Sequence, residues 1–249
     1  MVISLEKVTK IFKKNKVVDD VSIDFTDSTV YVVVGLSGSG KRTMLRLLVG
    51  ELKPDSGRIV NKNRSSIAYY EEGISSFSKL KKSEVHAVWQ LLYPGFDEEK
   101  FRNLTKENEI PANAEIFDLS LVVSSGAEIM VFDEPLLKLD PEQKVKFLDL
   151  FKELAESGKT VIIAANEIDE FEKIADRIVV LNEGSVVVAA KTDELLATHR
   201  LFPGATTISP DYKVIGPVFN ERLVLTEDSI GREAALKEIV SGYINGSSS

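Results

Sequence analysis

Residues 35–43 read GLSGSGKRT, three glycines and a lysine placed between a β-branched run and a leucine-rich one. Gly35, Gly38 and Gly40 let the backbone wrap closely round an anion. The N–H groups of Ser37, Ser39 and the helix that follows then aim at it. Lys41 reaches the terminal phosphates in a loop of pattern G-x-x-x-x-G-K-[ST], whose last hydroxyl holds Mg²⁺. Here Arg42 stands where that hydroxyl belongs, and Thr43 comes one step later. A second reactive stretch is EIMVFDEP, Glu128 to Pro135. Ile129 to Phe132 carry Asp133 and Glu134 to the C-terminal end of a strand, where α/β proteins bind their ligands. An aspartate there holds Mg²⁺ through its water, and the adjacent glutamate polarises an attacking water as general base.

The elements that must position these groups follow from periodicity. Residues 1–34 alternate apolar and polar positions, which predicts short antiparallel strands. YVVVG, Tyr31 to Gly35, reads as a strand buried on both faces, and Met44, Leu45, Leu47 and Leu48 as a helix stopping at Gly50. The order is strand, glycine loop, helix. SSIAYY predicts a short strand, and residues from about Ser76 to Asn108 an amphipathic helical region broken at Tyr93–Gly95. After Asp133 comes a helix with Asp140 at its cap, Pro141 in its first turn and Gly158 past its end. TVIIAAN is a third buried strand; another helix is expected before RIVVLNEG and SVVVAA. Such alternation predicts a largely parallel α/β sheet. Past Lys191 the pattern is less regular, with extended pieces at Tyr212–Val218 and Arg222–Leu225 and a helix from about Arg232 to Ile244.

A net charge of -8 and a pI near 5.0 exclude a dedicated nucleic-acid binder, which needs a basic surface. With no cysteine there is no disulfide or thiolate metal site, and a cytoplasmic location is expected. Apolar runs are too short to span a bilayer, so any membrane role goes through a partner.

Over nearly its full length the chain resembles the ATP-binding subunits of ABC transporters. The resemblance rests on VTKIF with Phe12, VVGLSGSGK, LKPDSGRI, VFDEP followed by LKLDP, and TVIIAANEIDEFEKIADRIVVLNEG. YPGFDEEKF and REAALKEIVSGYING resemble the branch serving ABC-2 type exporters. It implies an α/β P-loop NTPase with a RecA-like core, an antiparallel β subdomain and a helical subdomain at about 73–125, all within residues 1–190. Residues 191–244 would be an appendage and 245–249 a disordered tail. It further implies ATP and Mg²⁺ sandwiched between two such chains, beneath a membrane-spanning permease at the inner face of the membrane. Phe12 matches the aromatic that stacks on adenine, with a core aromatic as the alternative.

The departures are equally specific. The family's signature, LSGGQ or a variant, should lie about two dozen residues before Asp133. That count lands on EIPAN, Glu109–Asn113, which has no glycine and contains a proline. Leu119–Ser120 lies too close to Asp133 and lacks the glycines. The metal-contacting glutamine expected after SSIAYY is Glu71 or Glu72, and Glu72 joins Asp133 and Thr43 as the expected metal contacts. The switch histidine after TVIIAA is Asn166, which bonds a phosphate but relays no proton. Arg42 has two readings. Either it points to solvent while Thr43 or water ligates the metal, or its guanidinium lies by the β- and γ-phosphates and replaces metal charge. The expectation is an ATP-binding transporter subunit with weak or partner-dependent hydrolysis, favouring a heterodimer over a homodimer. The alternative is a non-hydrolysing regulatory or scaffolding pseudo-ATPase. Phe77, Leu80 and Trp89 are either the permease contact or a helical-subdomain core.

Overall fold

The computed structural model describes residues 2–62, 64–72, 80–106, 114–210, 212–226, 228 and 230–246. In chain order the elements are β1 (Ile3–Phe12), β2 (Asn15–Phe25), β3 (Thr29–Val34), α1 (Lys41–Leu48), β4 (Ser56–Asn61), β5 (Ile67–Glu71), α2 (Lys82–Leu92), α3 (Glu98–Lys106) and α4 (Ala114–Ser124). There follow β6 (Ile129–Asp133), α5 (Pro141–Glu156), β7 (Thr160–Ala165), β8 (Arg177–Asn182), β9 (Ser185–Lys191), α6 (Thr192–Thr198), β10 (His199–Pro203), β11 (Lys213–Val218), β12 (Glu221–Leu225), β13 (Arg232–Glu233) and α7 (Leu236–Gly246). The chain forms two compact units. One comprises residues 1–3, 24–30 and 61–163, the other residues 4–23, 31–60 and 164–249.

In the first unit β5 and β6 run parallel, in register from Ile67↔Ile129 to Glu71↔Asp133. β6 is buried at every residue, and Phe132 packs on Phe151 of α5 with ring centroids 4.7 Å apart. The cap of α5 forms as its sequence dictates: Gln143 N–H donates to Asp140 Oδ1 at 2.9 Å, and Asp140 N–H donates to Gln143 Oε1 at 3.2 Å. Gly158, at φ +95°, lies just past the end. α2, α3 and α4 enclose a small core of Val85, Phe101, Phe117 and Leu121, with Trp89 and Phe96 packed against it. Trp89 is therefore a core contact of this helical region, Leu80 is exposed, and Phe77 lies outside the described residues.

In the second unit β2, β1 and β4 form a three-stranded sheet in that order. β3 pairs parallel with β8, from Tyr31↔Arg177 to Val34↔Val180, and β8 pairs antiparallel with β9. A further sheet has the order β11, β12, β10, β13, and the backbone of α7 runs close enough to β11 that a Cβ on Gly216 would meet Gly242 O at 2.2 Å.

Two sequence expectations change. The helix before RIVVLNEG is a run of turns over residues 168–174. Phe171 N–H donates to Ile168 O at 2.8 Å and Ile174 N–H to Phe171 O at 3.0 Å. Ile168, Phe171 and Ile174 are buried, and beside these two i→i+3 bonds the run has a single i→i+4 bond among the described residues, from Ala175 N–H to Phe171 O at 3.0 Å. The last helix begins at Leu236 rather than near Arg232, because Arg232–Glu233 pairs with β10 and Glu238 Oε2 accepts the Ala235 N–H at 2.8 Å.

Candidate nucleotide site

The glycine loop joins β3 to α1, and its curvature is fixed by backbone contacts. A Cβ on Gly35 would lie 2.2 Å from Leu181 O. One on Gly40, at φ +103°, would lie 2.3 Å from Val17 O, so only glycine fits either place. From the β8–β9 turn, Gly184 N–H donates to Ser39 O at 2.9 Å, and Gly184 O accepts the Asp19 N–H at 2.9 Å. Ser37 and Gly38 are exposed; the Ser39 hydroxyl is buried with no hydrogen-bond partner among the described residues. Lys41 opens α1 and is 6% exposed. Its ammonium donates to Gly35 O at 2.7 Å, Leu36 O at 3.1 Å and Asn166 Oδ1 at 3.0 Å. The loop lysine and the residue in the switch-histidine position, far apart in sequence, are thus bonded to each other. On α1, Arg42 is exposed and Thr43 partly buried. Phe12, at the end of β1, is 43% exposed, which removes the core-aromatic reading. Lys10 Nζ sits 5.5 Å from its ring centroid and is itself held by Asp55 at 3.2 Å.

The carboxylates of the second stretch belong to the other unit. Asp133 is buried at the end of β6, and Glu71, also buried, stands beside it in register on β5. Tyr69 Oη donates to Glu71 Oε2 at 2.9 Å. Glu72 N–H donates to Asp133 O at 3.2 Å, but the Glu72 carboxylate turns to Lys138 at 2.7 Å, and Lys138 also meets Glu115 at 3.3 Å. Of the two glutamates left open by the sequence, Glu71 stands beside Asp133 and Glu72 is held by an ammonium. Glu134 takes a left-handed φ of 50°, an unfavourable conformation for a residue with a Cβ. Burial, then Glu115, push the Asp118 carboxyl up to about 6, against the pull of Lys82. Tyr70 is pushed up as well, first by burial and then by Glu115 and Asp118.

These oxygens are the hard donors that Mg²⁺ takes, and Asp133 with Glu71 is the pair suited to it. Among the described residues no three such groups gather into a metal cage, so a bound Mg²⁺ would draw its other ligands from phosphate and water. The EIPAN stretch lies outside the described residues; Leu119 and Ser120 are fully buried in α4 and present no surface motif. Sequence reasoning passed over Gly184, Val17, Lys138 and Glu115. Only Gly184, the last residue of RIVVLNEG, carried a sequence signal.

A model of the ABC transporter family matches residues 18–137. The energy-coupling factor transporter ATP-binding protein EcfA3 of Oenococcus oeni is 28% identical, over 84% of this chain and 88% of its own. The arginine transport ATP-binding protein ArtM of Bacillus subtilis is 28% identical, over 74% of this chain and 89% of its own. Among solved structures, an ATP-binding subunit of an ABC transporter superposes with a TM-score of 0.68 at 18% identity, covering 78% of this chain and 92% of that one. A dimeric ATP-binding cassette in a post-hydrolysis state with ADP and Pi reaches 0.65 at 23%, covering 76% and 98%. The fold is accordingly that of the ABC-type P-loop ATPases, and residues 18–137 are the part of the chain that matches the ABC transporter family.

Proposed function

We propose that this chain is a transporter subunit that binds ATP at residues 35–43 and couples it to a membrane-spanning permease, with slow or partner-dependent hydrolysis. The observation that carries the reading is the braced glycine loop with Lys41 at its centre. In this reading the N–H groups from Gly35 to Gly40, with Ser37 and Ser39, hold the phosphates, and Phe12 stacks on adenine. Its exposure on β1 supports that role. Asp133, with Glu71 beside it, takes Mg²⁺ through water, and Glu134 is the general base. Arg42 contributes positive charge at the phosphates, which its exposure on the first turn of α1 supports.

The missing signature and switch histidine slow the chemistry and favour pairing with a second, more complete ATPase chain. Relatives named for arginine transport and for energy-coupling factor transporters support the coupling to transport. No helix among the described residues is long and apolar enough to cross a membrane, so attachment to the inner membrane face falls to the permease.

Calorimetry of ATP binding, with Mg²⁺ and with EDTA, tests the site. Binding in both buffers is expected. A steep loss in EDTA assigns the charge to the metal rather than to Arg42, and no heat in either buffer overturns ATP binding. A second reading, a non-hydrolysing regulatory subunit, is favoured by Asn166, whose amide does not titrate and cannot relay a proton. Phosphate release by the purified chain with its partner ATPase separates the two readings: turnover that depends on Glu134 removes the second.

A further inference from the structure

An ammonium has three N–H donors and no acceptor. In this structure the Lys41 ammonium already donates to Gly35 O, Leu36 O and Asn166 Oδ1. A phosphate oxygen gains one of these protons only by displacing an acceptor. Gly35 O and Leu36 O belong to the loop backbone, whose path is fixed by the contacts with Leu181, Val17 and Gly184. Asn166 reaches in from the end of β7, is exposed, and turns about two side-chain bonds. It is the acceptor that yields.

We infer that Asn166 is a latch. It holds Lys41 against its own loop and sets ATP affinity by competing with phosphate for the ammonium. The latch is neutral, so its hold does not vary over the pH range in which a histidine in that place would titrate. The inference rests on the reading of residues 35–43 as an ATP site.

Two substitutions pull in opposite directions. Asn166→Ala removes the competing acceptor, while Asn166→Asp replaces it with a charged one and strengthens the hold. A hydrogen bond to a charged group commonly shifts an equilibrium by roughly tenfold or more. Calorimetry is therefore expected to give ATP binding about tenfold tighter in N166A and about tenfold weaker in N166D. Without nucleotide, N166A should melt below wild type, with a larger rise in Tm on adding ATP. General damage to the fold would weaken binding in both variants, so the opposed signs identify the latch. Affinity in N166A equal to or below wild type overturns the inference alone, as does unchanged affinity in N166D. Binding by N166A but not by wild type supports it. Absence of binding in wild type and both variants overturns the ATP reading and the latch with it.

Discussion

The two compact units house their charges in opposite ways. Lys41 is buried, and its ammonium donates to Gly35 O, Leu36 O and Asn166 Oδ1. In the other unit Glu72 and Glu115 share the half-exposed Lys138, and burial and then Glu115 push the Asp118 carboxyl up to about 6. The lysine is held by hydrogen bonds to near neighbours, whereas Asp118, raised by burial and by a neighbouring carboxylate, changes its charge with the pH of the medium.

The largest effect should come from the loop's backbone. Gly40→Ala puts a Cβ 2.3 Å from Val17 O at φ +103° and is expected to cost more than about 3 kcal/mol in urea unfolding. Gly38→Ala, at φ +83° with nothing within 4 Å of the new Cβ, should cost only the left-handed penalty of about 1–2 kcal/mol. Equal costs would mean the close approach at Gly40 does not brace the loop. Next in size, Lys41→Ala should weaken ATP binding about 100-fold by calorimetry, as loss of charge-assisted contacts implies.

In the acid cluster, Asp118 has a folded pKa near 6, above its ordinary value of 3.8. The raised value favours the protonated form when folded. Asp118 therefore stabilises below about pH 4, and that contribution is lost as pH rises through about 6. Asp118→Asn should raise stability at pH 7 by about 1 kcal/mol after solvent screening and flatten the slope between pH 4 and 6. Thermal melts across that window would show it, and an unchanged slope would remove Asp118 as its source. Smallest is Glu134→Asn, which places a left-handed-tolerant residue at φ 50° and should gain about 0.5 kcal/mol while abolishing any turnover. A loss of stability instead would show that the Glu134 side chain holds the turn.

Much of the scaffold was legible because it depends on local rules. β3, α1 and β6 are runs whose burial and period leave little choice, and Asp140, Pro141 and Gly158 mark both ends of α5. What escaped was non-local. Nothing in TVIIAAN says that Asn166 meets a lysine 125 residues earlier, and nothing around LKLDP says that Lys138 takes Glu72 away from Asp133. The turns over 168–174 were read as a helix because their charged and apolar residues alternate suitably for either. The bonds from Phe171 and Ile174 back three residues decide between them, and those belong to the folded chain.

The bracing of the loop by Gly184 reaches further than the site itself. Both of its hydrogen bonds are main chain to main chain, to Ser39 O and from the Asp19 N–H. Such a clamp does not register which side chains the loop displays. Exchanges at Ser37, Arg42 or Asn166 can therefore alter what the loop does to a phosphate while its outline stays the same. Shape and chemistry are inherited separately here: a cassette of this construction can lose a catalytic group and still present its partners with an intact cradle.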